Sequence, residues 1–460
     1  MVQKNNDKKI SRGTPVKVTS SIATPADGAS ANTPARAGVP GARAWAVLIT
    51  LCFVYVLNFL DRSLISILAK PIQDSLHVTD GQLGLLGGLF FALFYCFIAI
   101  PVGWVADKTN RVWVLTFACA IWSGATMACG LAANFLQLAI ARMTVGFGEA
   151  GGVPPSYAII SDYFPSGRRG AALSVYNLGP PIGAALGIAF GASIAAAYSW
   201  RDAFIALGAV GVVAAILVRV IVREPKRGGL DRPAAHTETA MPSFNQTIRM
   251  FFSRPSLVLA AVASGVTQIV TYGAGNFTTL LLMREKGMTL SEVALWSALV
   301  VGIGMSAGIY VSGWAIDRFA RRSKVAYAIL PAISLALAVL FFIGFIWAPC
   351  WQLSLAFLIG PYFLNYFYLS SSVTLVQEEV RPDQRVTAGA LLLLVMNFTG
   401  MGIGPTFVGE ISDFLHASHP HNSLQLAFYA LIPFYIIAIA LFLWLARVLR
   451  KESLTDGVSP

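Results

Sequence analysis

Gly103-Trp104-Val105-Ala106-Asp107-Lys108-Thr109-Asn110-Arg111 and Gly313-Trp314-Ala315-Ile316-Asp317-Arg318-Phe319-Ala320-Arg321 are one pattern written twice, 210 residues apart in a chain of 460. The shared form is Gly-Trp-x-x-Asp-(Lys/Arg)-x-x-Arg. Each copy closes one long apolar segment and precedes another. Two more landmarks recur in the same order. Asp162, Pro165 and Arg168 are answered by Glu379, Pro382 and Arg385, at identical spacing. Asn177, Gly179, Pro180 and Gly183 are answered by Asn397, Gly400, Gly404, Pro405 and Gly409. A repeat on this scale predicts two similar bundles with the chemistry placed between them.

The composition says what solvent those bundles face. The chain is 56% hydrophobic and 12% charged, with a mean hydropathy of +0.68. About 20 apolar residues are needed to carry a helix across ~30 Å of hydrocarbon. Twelve such segments are expected, starting near Ala44, Gln82, Val112, Phe135, Gly170, Ala203, Ser256, Ser291, Val325, Trp351, Val386 and Leu424. The apolar runs are continuous rather than alternating, which excludes β-barrel strands. The expected fold is therefore an all-α integral membrane protein of two pseudo-symmetric six-helix bundles.

The domain plan is a disordered cytoplasmic tail over 1–43, a first bundle over 44–223 and a cytoplasmic linker over 224–254. A second bundle covers 255–449 and a short cytoplasmic tail 450–460. Basic residues set the orientation. Almost all Lys and Arg fall on the side of the termini, the linker and the repeated loops, while the other side keeps Lys70, Arg201, Arg284 and Lys286. That bias predicts cytoplasmic termini in a plasma membrane, the inner membrane in a bacterium. It also accounts for the net charge of +11, so nucleic acid is not an expected partner; anionic headgroups are. No cleavable signal is expected, because Lys4, Lys8, Lys9 and Arg12 precede no apolar stretch. Five cysteines show neither metal-ligand spacing nor a disulfide framework. No metal or cofactor is expected, and a monomer is.

Charges inside the spans carry the chemistry, because an ionisable group in hydrocarbon is expensive unless paired or hydrated. Asp61 and Arg62 sit deep in the first span, and Arg142 and Glu149 in the fourth. The latter pair is seven residues apart, two helical turns, hence on one face. Tyr55, Asn58, Arg62 and Ser66 form a polar stripe at helical spacing. Asp61 and Glu149 are the expected proton carriers, with Arg62 as their exchangeable partner or the anchor of an anionic group; Arg142 fits either role. The plainer alternative is a permanent ion pair that fixes helix register. In the second half, Gln268 and Tyr272 on the seventh span, and Tyr362, Asn365 and Tyr366 on the tenth, are the expected substrate-lining residues. There, packing and interfacial anchoring are the plainer roles. No nucleophile–base pair or phosphate-binding glycine loop occurs, so an enzyme is not expected.

These residues resemble the major facilitator superfamily, in which a Gly-x-x-x-Asp-x-x-x-Arg signature follows the second helix. Within it, Asn58-Phe59-Leu60-Asp61-Arg62 and Arg142-x-x-x-Gly146-x-Gly148-Glu149-Ala150 followed by Pro154 look like the Spinster-like branch. The resemblance covers about Ala44 to Leu449. It implies alternating access, a central cavity lined by the first and fourth helices, and transport of lysolipids, sphingoid phosphates or amphipathic drugs. It also implies that the loops latch the halves. Gly103, Asp107, Arg111 and Asp162 would form one cytoplasmic cluster; Gly313, Asp317, Arg321 and Glu379 would form the other. Gly179, Pro180 and Gly183, with Gly404 and Pro405, are expected to let helices pack closely. The expected function is proton-coupled movement of an amphipathic small molecule. The rivals are proton-coupled uptake of a small organic anion, with Arg62 and Arg142 as a carboxylate clamp, and a transport-dead receptor or scaffold on the same fold.

Overall fold

The computed structural model describes residues 41–226, 244–381 and 384–455. The tail over 1–43 lies outside the described residues except for its last three, as does most of the linker. All regular structure among the described residues is helical. Eleven helices are long and apolar enough to cross a membrane: Ala42–Ile67, Asp80–Ala106, Arg111–Gly130, Ala171–Ala197, Trp200–Ile221, Pro255–Arg284, Leu290–Ala320, Ala326–Trp347, Trp351–Glu379, Thr387–His416 and Ser423–Glu452. Each begins within a few residues of its expected start.

The fourth span differs from expectation. It is two helices, Phe135–Glu149 and Val153–Tyr163, joined by a turn at residues 150–152. Gly151 and Gly152 donate to the carbonyls of Gly148 and Glu149 at 3.1 and 3.0 Å, tightening the end of the first piece. Pro154 and Pro155 then lack the N–H groups that continuation needs, but suit the first turn of a new helix. The break falls immediately after Glu149.

Two short helices were not foreseen. Ala69–Leu76 follows the first span, and Phe244–Ser253 precedes the seventh. Thr79 starts the second span with a capping box: its hydroxyl accepts from the Gln82 N–H, and the Gln82 side chain accepts from the Thr79 N–H.

Glycines set how closely spans approach. A Cβ on Gly183 would collide with the backbone carbonyl of Val56, and one on Gly84 with that of Pro405. Gly179 packs on Tyr55 and Gly404 on the carbonyl of Ile269. Pro180 begins the Gly179–Ala197 helix, where its missing N–H costs nothing. Gly183→Val is expected to destabilise the protein by about 1–3 kcal/mol or more through overpacking. Gly124→Ala, whose Cβ meets nothing within 4 Å, serves as the neutral control. Thermal unfolding of both variants in detergent checks this.

The two halves meet firmly at one end. There the Asp80 carboxylate receives both Arg284 amino groups, at 3.0 and 2.9 Å, and the Ser412 hydroxyl at 2.5 Å. In return, the Asp413 carboxylate accepts from the backbone N–H groups of Asp80 and Gly81, at 3.0 and 2.9 Å. Gly81 and Gly409 leave no room for a Cβ in this contact. Deeper in, the Ser66 hydroxyl donates to the Gly275 carbonyl at 2.9 Å, and Phe97 meets Phe398 edge-on at 5.3 Å. At the opposite end, Gly103 and Gly313 have open space where a Cβ would stand. The hydrogen bonds of Asp80, Gly81, Arg284 and Asp413 hold the bundles together at the Asp80 end.

Candidate substrate and proton site

Asp61 and Arg62 are consecutive, so they leave the first span about 100° apart. They find different partners. Asp61 accepts from Arg142 at 3.0 Å and from the Thr126 hydroxyl at 2.9 Å. Arg62 donates through Nε to Glu149 at 2.7 Å. Two crossed acid–arginine pairs thus join the first and fourth spans. Gly146 and Gly148 bring the fourth span close to the second and third: a Cβ there would strike the Phe91 carbonyl or the Trp122 backbone.

The two pairs differ in access. The side chains of Asp61 and Glu149 are fully buried; that of Arg142 is 2% exposed and that of Arg62 14%. Arg62 is caged by aromatic faces, with its guanidinium carbon 4.9 Å from the Phe59 ring, 5.1 Å from Phe91 and 4.4 Å from Tyr95. Phe91 also faces Arg142, at 5.4 Å. Such cages stabilise a desolvated cation.

The hydrogen bonding is incomplete. Arg62 Nη2, Arg142 Nε and Glu149 Oε1 are buried with no partner. So are Asn58 Oδ1 on the first span and Gln268 Oε1 on the seventh. Each unmatched polar atom costs about 1–3 kcal/mol.

Other expected lining residues divide. Tyr55 stacks on Tyr176 at 4.5 Å and meets Phe59 edge-on, so it braces the cage. Tyr272, Tyr362 and Tyr366 are half-buried. Asn365 instead exchanges hydrogen bonds with Tyr435 at 3.0 and 3.1 Å, joining the tenth and twelfth spans inside one half. Thr126, Phe91 and Tyr95 belong to the site but carried no signal, being ordinary residues in apolar runs.

The repeated loops are not equivalent. Arg111 is 5% exposed and holds Asp162 at 2.7 Å, Glu224 at 2.6 Å and the Pro225 carbonyl at 3.3 Å. Glu224 also caps the Val112 N–H at 3.1 Å, tying the linker to the loop. The side chain of Asp107 lies outside the described residues. In the second half, Glu379 pairs with Lys324 at 2.8 Å and lies 3.8 Å from Arg254. The expected Arg321 pairing is replaced by Lys324, three residues on. Arg321 follows the end of its helix and is exposed, whereas Lys324 lies just before the ninth span, Ala326–Trp347. Arg111→Ala is expected to loosen the linker, raising proteolysis between residues 227 and 243 severalfold; an unchanged cleavage rate would remove Arg111 from that role.

Two six-helix bundles around a charged centre define the class: a membrane transporter. The chain belongs to the Major Facilitator Superfamily, whose family model matches residues 51–405, and within it to the Spinster-like branch. It is 31% identical over 423 residues to an MFS-type efflux pump of Mycolicibacterium smegmatis, covering 90% of this chain and 95% of that one. It is 26% identical to a hexuronate transporter of Bacillus subtilis, covering 80% and 87%. Its structure is similar to that of a bacterial homolog of the human lysosomal transporter Spinster, inward-facing and unoccupied. That likeness has a TM-score of 0.84 at 27% identity, covering 90% of this chain and 99% of the other. The chain is therefore a multi-pass membrane transporter of a small molecule, and not an enzyme.

Proposed function

We propose that this transporter moves an amphipathic small molecule by alternating access, coupled to protons through Glu149 and Asp61. The observation that supports this most is the crossed pair: a fully buried Glu149 with one oxygen on Arg62 and the other unmatched. A buried carboxylate held by one arginine takes a proton readily once that arginine is drawn away. A substrate's anionic group competes for Arg62 and draws it. The aromatic cage and the tyrosines of the second half suit an apolar body.

On this reading both termini are cytoplasmic, the Asp80 end faces outward, and the end with the repeated loops faces the cytoplasm. The repeated loops serve as latches for the opposite state. The basic-residue bias supports that orientation.

Uptake of a small organic anion is the second reading, favoured by the hexuronate-transporting relative. Its two-arginine clamp sits poorly with Arg142, which is 2% exposed and held by Asp61. Reconstitution under an imposed pH gradient tests both. Flux of lysolipids, sphingoid phosphates or cationic drugs supports the first reading. Flux of sugar acids alone supports the second. Flux indifferent to the gradient overturns the coupling.

A further inference from the structure

Of the four cations expected at the Asp80 end, two are paired with acids: Lys70 with Asp74 and Arg284 with Asp80. Lys286 donates to the carbonyls of Ile346 and Ala348. Arg201 likewise has only neutral partners among the described residues: the Ser75 hydroxyl at 2.9 Å and the Ala132 carbonyl at 3.2 Å. Its guanidinium lies 4.3 Å from the ring of Trp200. Trp200 is 4% exposed, and its indole N–H is buried without an acceptor. A cation lacking an acid and a donor lacking an acceptor thus stand side by side at the membrane interface.

Ala132, which Arg201 touches, also lines a cavity of about 360 Å³. This cavity is a groove between the third and fourth spans. Ala125, Ala128 and Ala132 recess one wall, and Ile140, Ala141 and Thr144 form the other. The Thr144 hydroxyl turns back to the Ile140 carbonyl at 2.9 Å, so that wall presents mainly hydrocarbon. Ile140 is 55% and Leu131 71% exposed, which places the groove on the lipid-facing surface.

We propose that this groove is a phospholipid site. A phosphate of the leaflet at the Asp80 end binds Arg201, and one acyl chain lies between the third and fourth spans. Charge selects the occupant: the groove alone accepts any apolar chain, while Arg201 demands an anionic oxygen. The site lies behind the charged centre. Thr126 and Arg142, which hold Asp61, are the chain neighbours of the groove residues Ala125 and Ala141. An occupying chain therefore buttresses the seam that keeps the Asp61 partners in place.

Native mass spectrometry of the intact protein tests this, with phosphatidylglycerol and the matching phosphate-free diacylglycerol added in turn. The wild type is expected to retain one phosphatidylglycerol and little diacylglycerol. Arg201→Ala should weaken phosphatidylglycerol retention about tenfold or more, with Arg201→Lys intermediate. Ala128→Trp, which fills the groove, should abolish retention while leaving Arg201 intact. Equal retention of the two lipids, or retention unchanged in both Arg201→Ala and Ala128→Trp, would overturn the proposal. If Arg201→Ala fails to fold, Ala128→Trp and the lipid comparison on the wild type still decide.

Discussion

Replacing Glu149 by Gln is expected to cut gradient-driven flux by about a hundredfold or more, the equivalent of about 2.8 kcal/mol. The amide matches the carboxylate in shape, so the cage around Arg62 persists. It carries neither the charge nor the exchangeable proton. Exchange of substrate without a gradient should survive, because Arg62 still faces the cavity, now less restrained. Asp61→Asn should behave differently. Arg142, at 2% exposure, has no water to turn to when its acid is neutralised, so the cost falls on the fold. A lower unfolding temperature is the expected mark of Asp61→Asn, and lost coupling that of Glu149→Gln. Full gradient dependence in both variants would leave the crossed pairs as register-fixing bridges only.

Arg284→Ala is expected to release the sealed end. The Arg284–Asp80 contact joins the two halves through two charged hydrogen bonds, and Asp80 keeps only Ser412 and Gln73 once Arg284 is gone. Truncating one partner of such a pair costs about 2–5 kcal/mol, enough to invert the balance between two states that differ by a few kcal/mol. Asp413→Asn should act in the same direction more weakly, since its amide oxygen still accepts one of the two N–H groups of Asp80 and Gly81. Spin labels at the exposed positions His77 and Ser418 would report it. The variant should show a longer, broader distance distribution than the wild type. Identical distributions would show that the apolar contact of Phe97 and Phe398 holds the seal instead.

The bundle count and the duplication were legible in the chain, because each rests on a local pattern: apolar length and repeated spacing. What was illegible depends on tertiary geometry. The spacing of Arg142 and Glu149 placed them on one face. It could not say that Asp61 would take Arg142 while its neighbour Arg62 took Glu149, since that follows from glycines 146 and 148 drawing the fourth span onto its neighbours. The seal was hidden for another reason. Asp80 and Arg284 are 204 residues apart and lie at span ends, where charges read as ordinary loop residues. Asn365 was misplaced in the cavity because a polar residue among tyrosines looks the same whether it faces a ligand or, as here, Tyr435. Glu224 sat in a linker whose composition promised no structure, and the Arg111 guanidinium with the Val112 N–H at a helix start explains its place.

The four charged residues of the centre sum to zero. On the proposed coupling, one added proton leaves them at +1, and carrying that charge across a membrane potential of 100 mV is worth about 2.3 kcal/mol. The empty carrier returns with no such term, so its reorientation is blind to voltage. The passenger's own charge then sets the direction of traffic. An anion restores neutrality and travels with the proton. A cation meets the same surplus charge as repulsion, so it must wait for the proton to leave and move the opposite way.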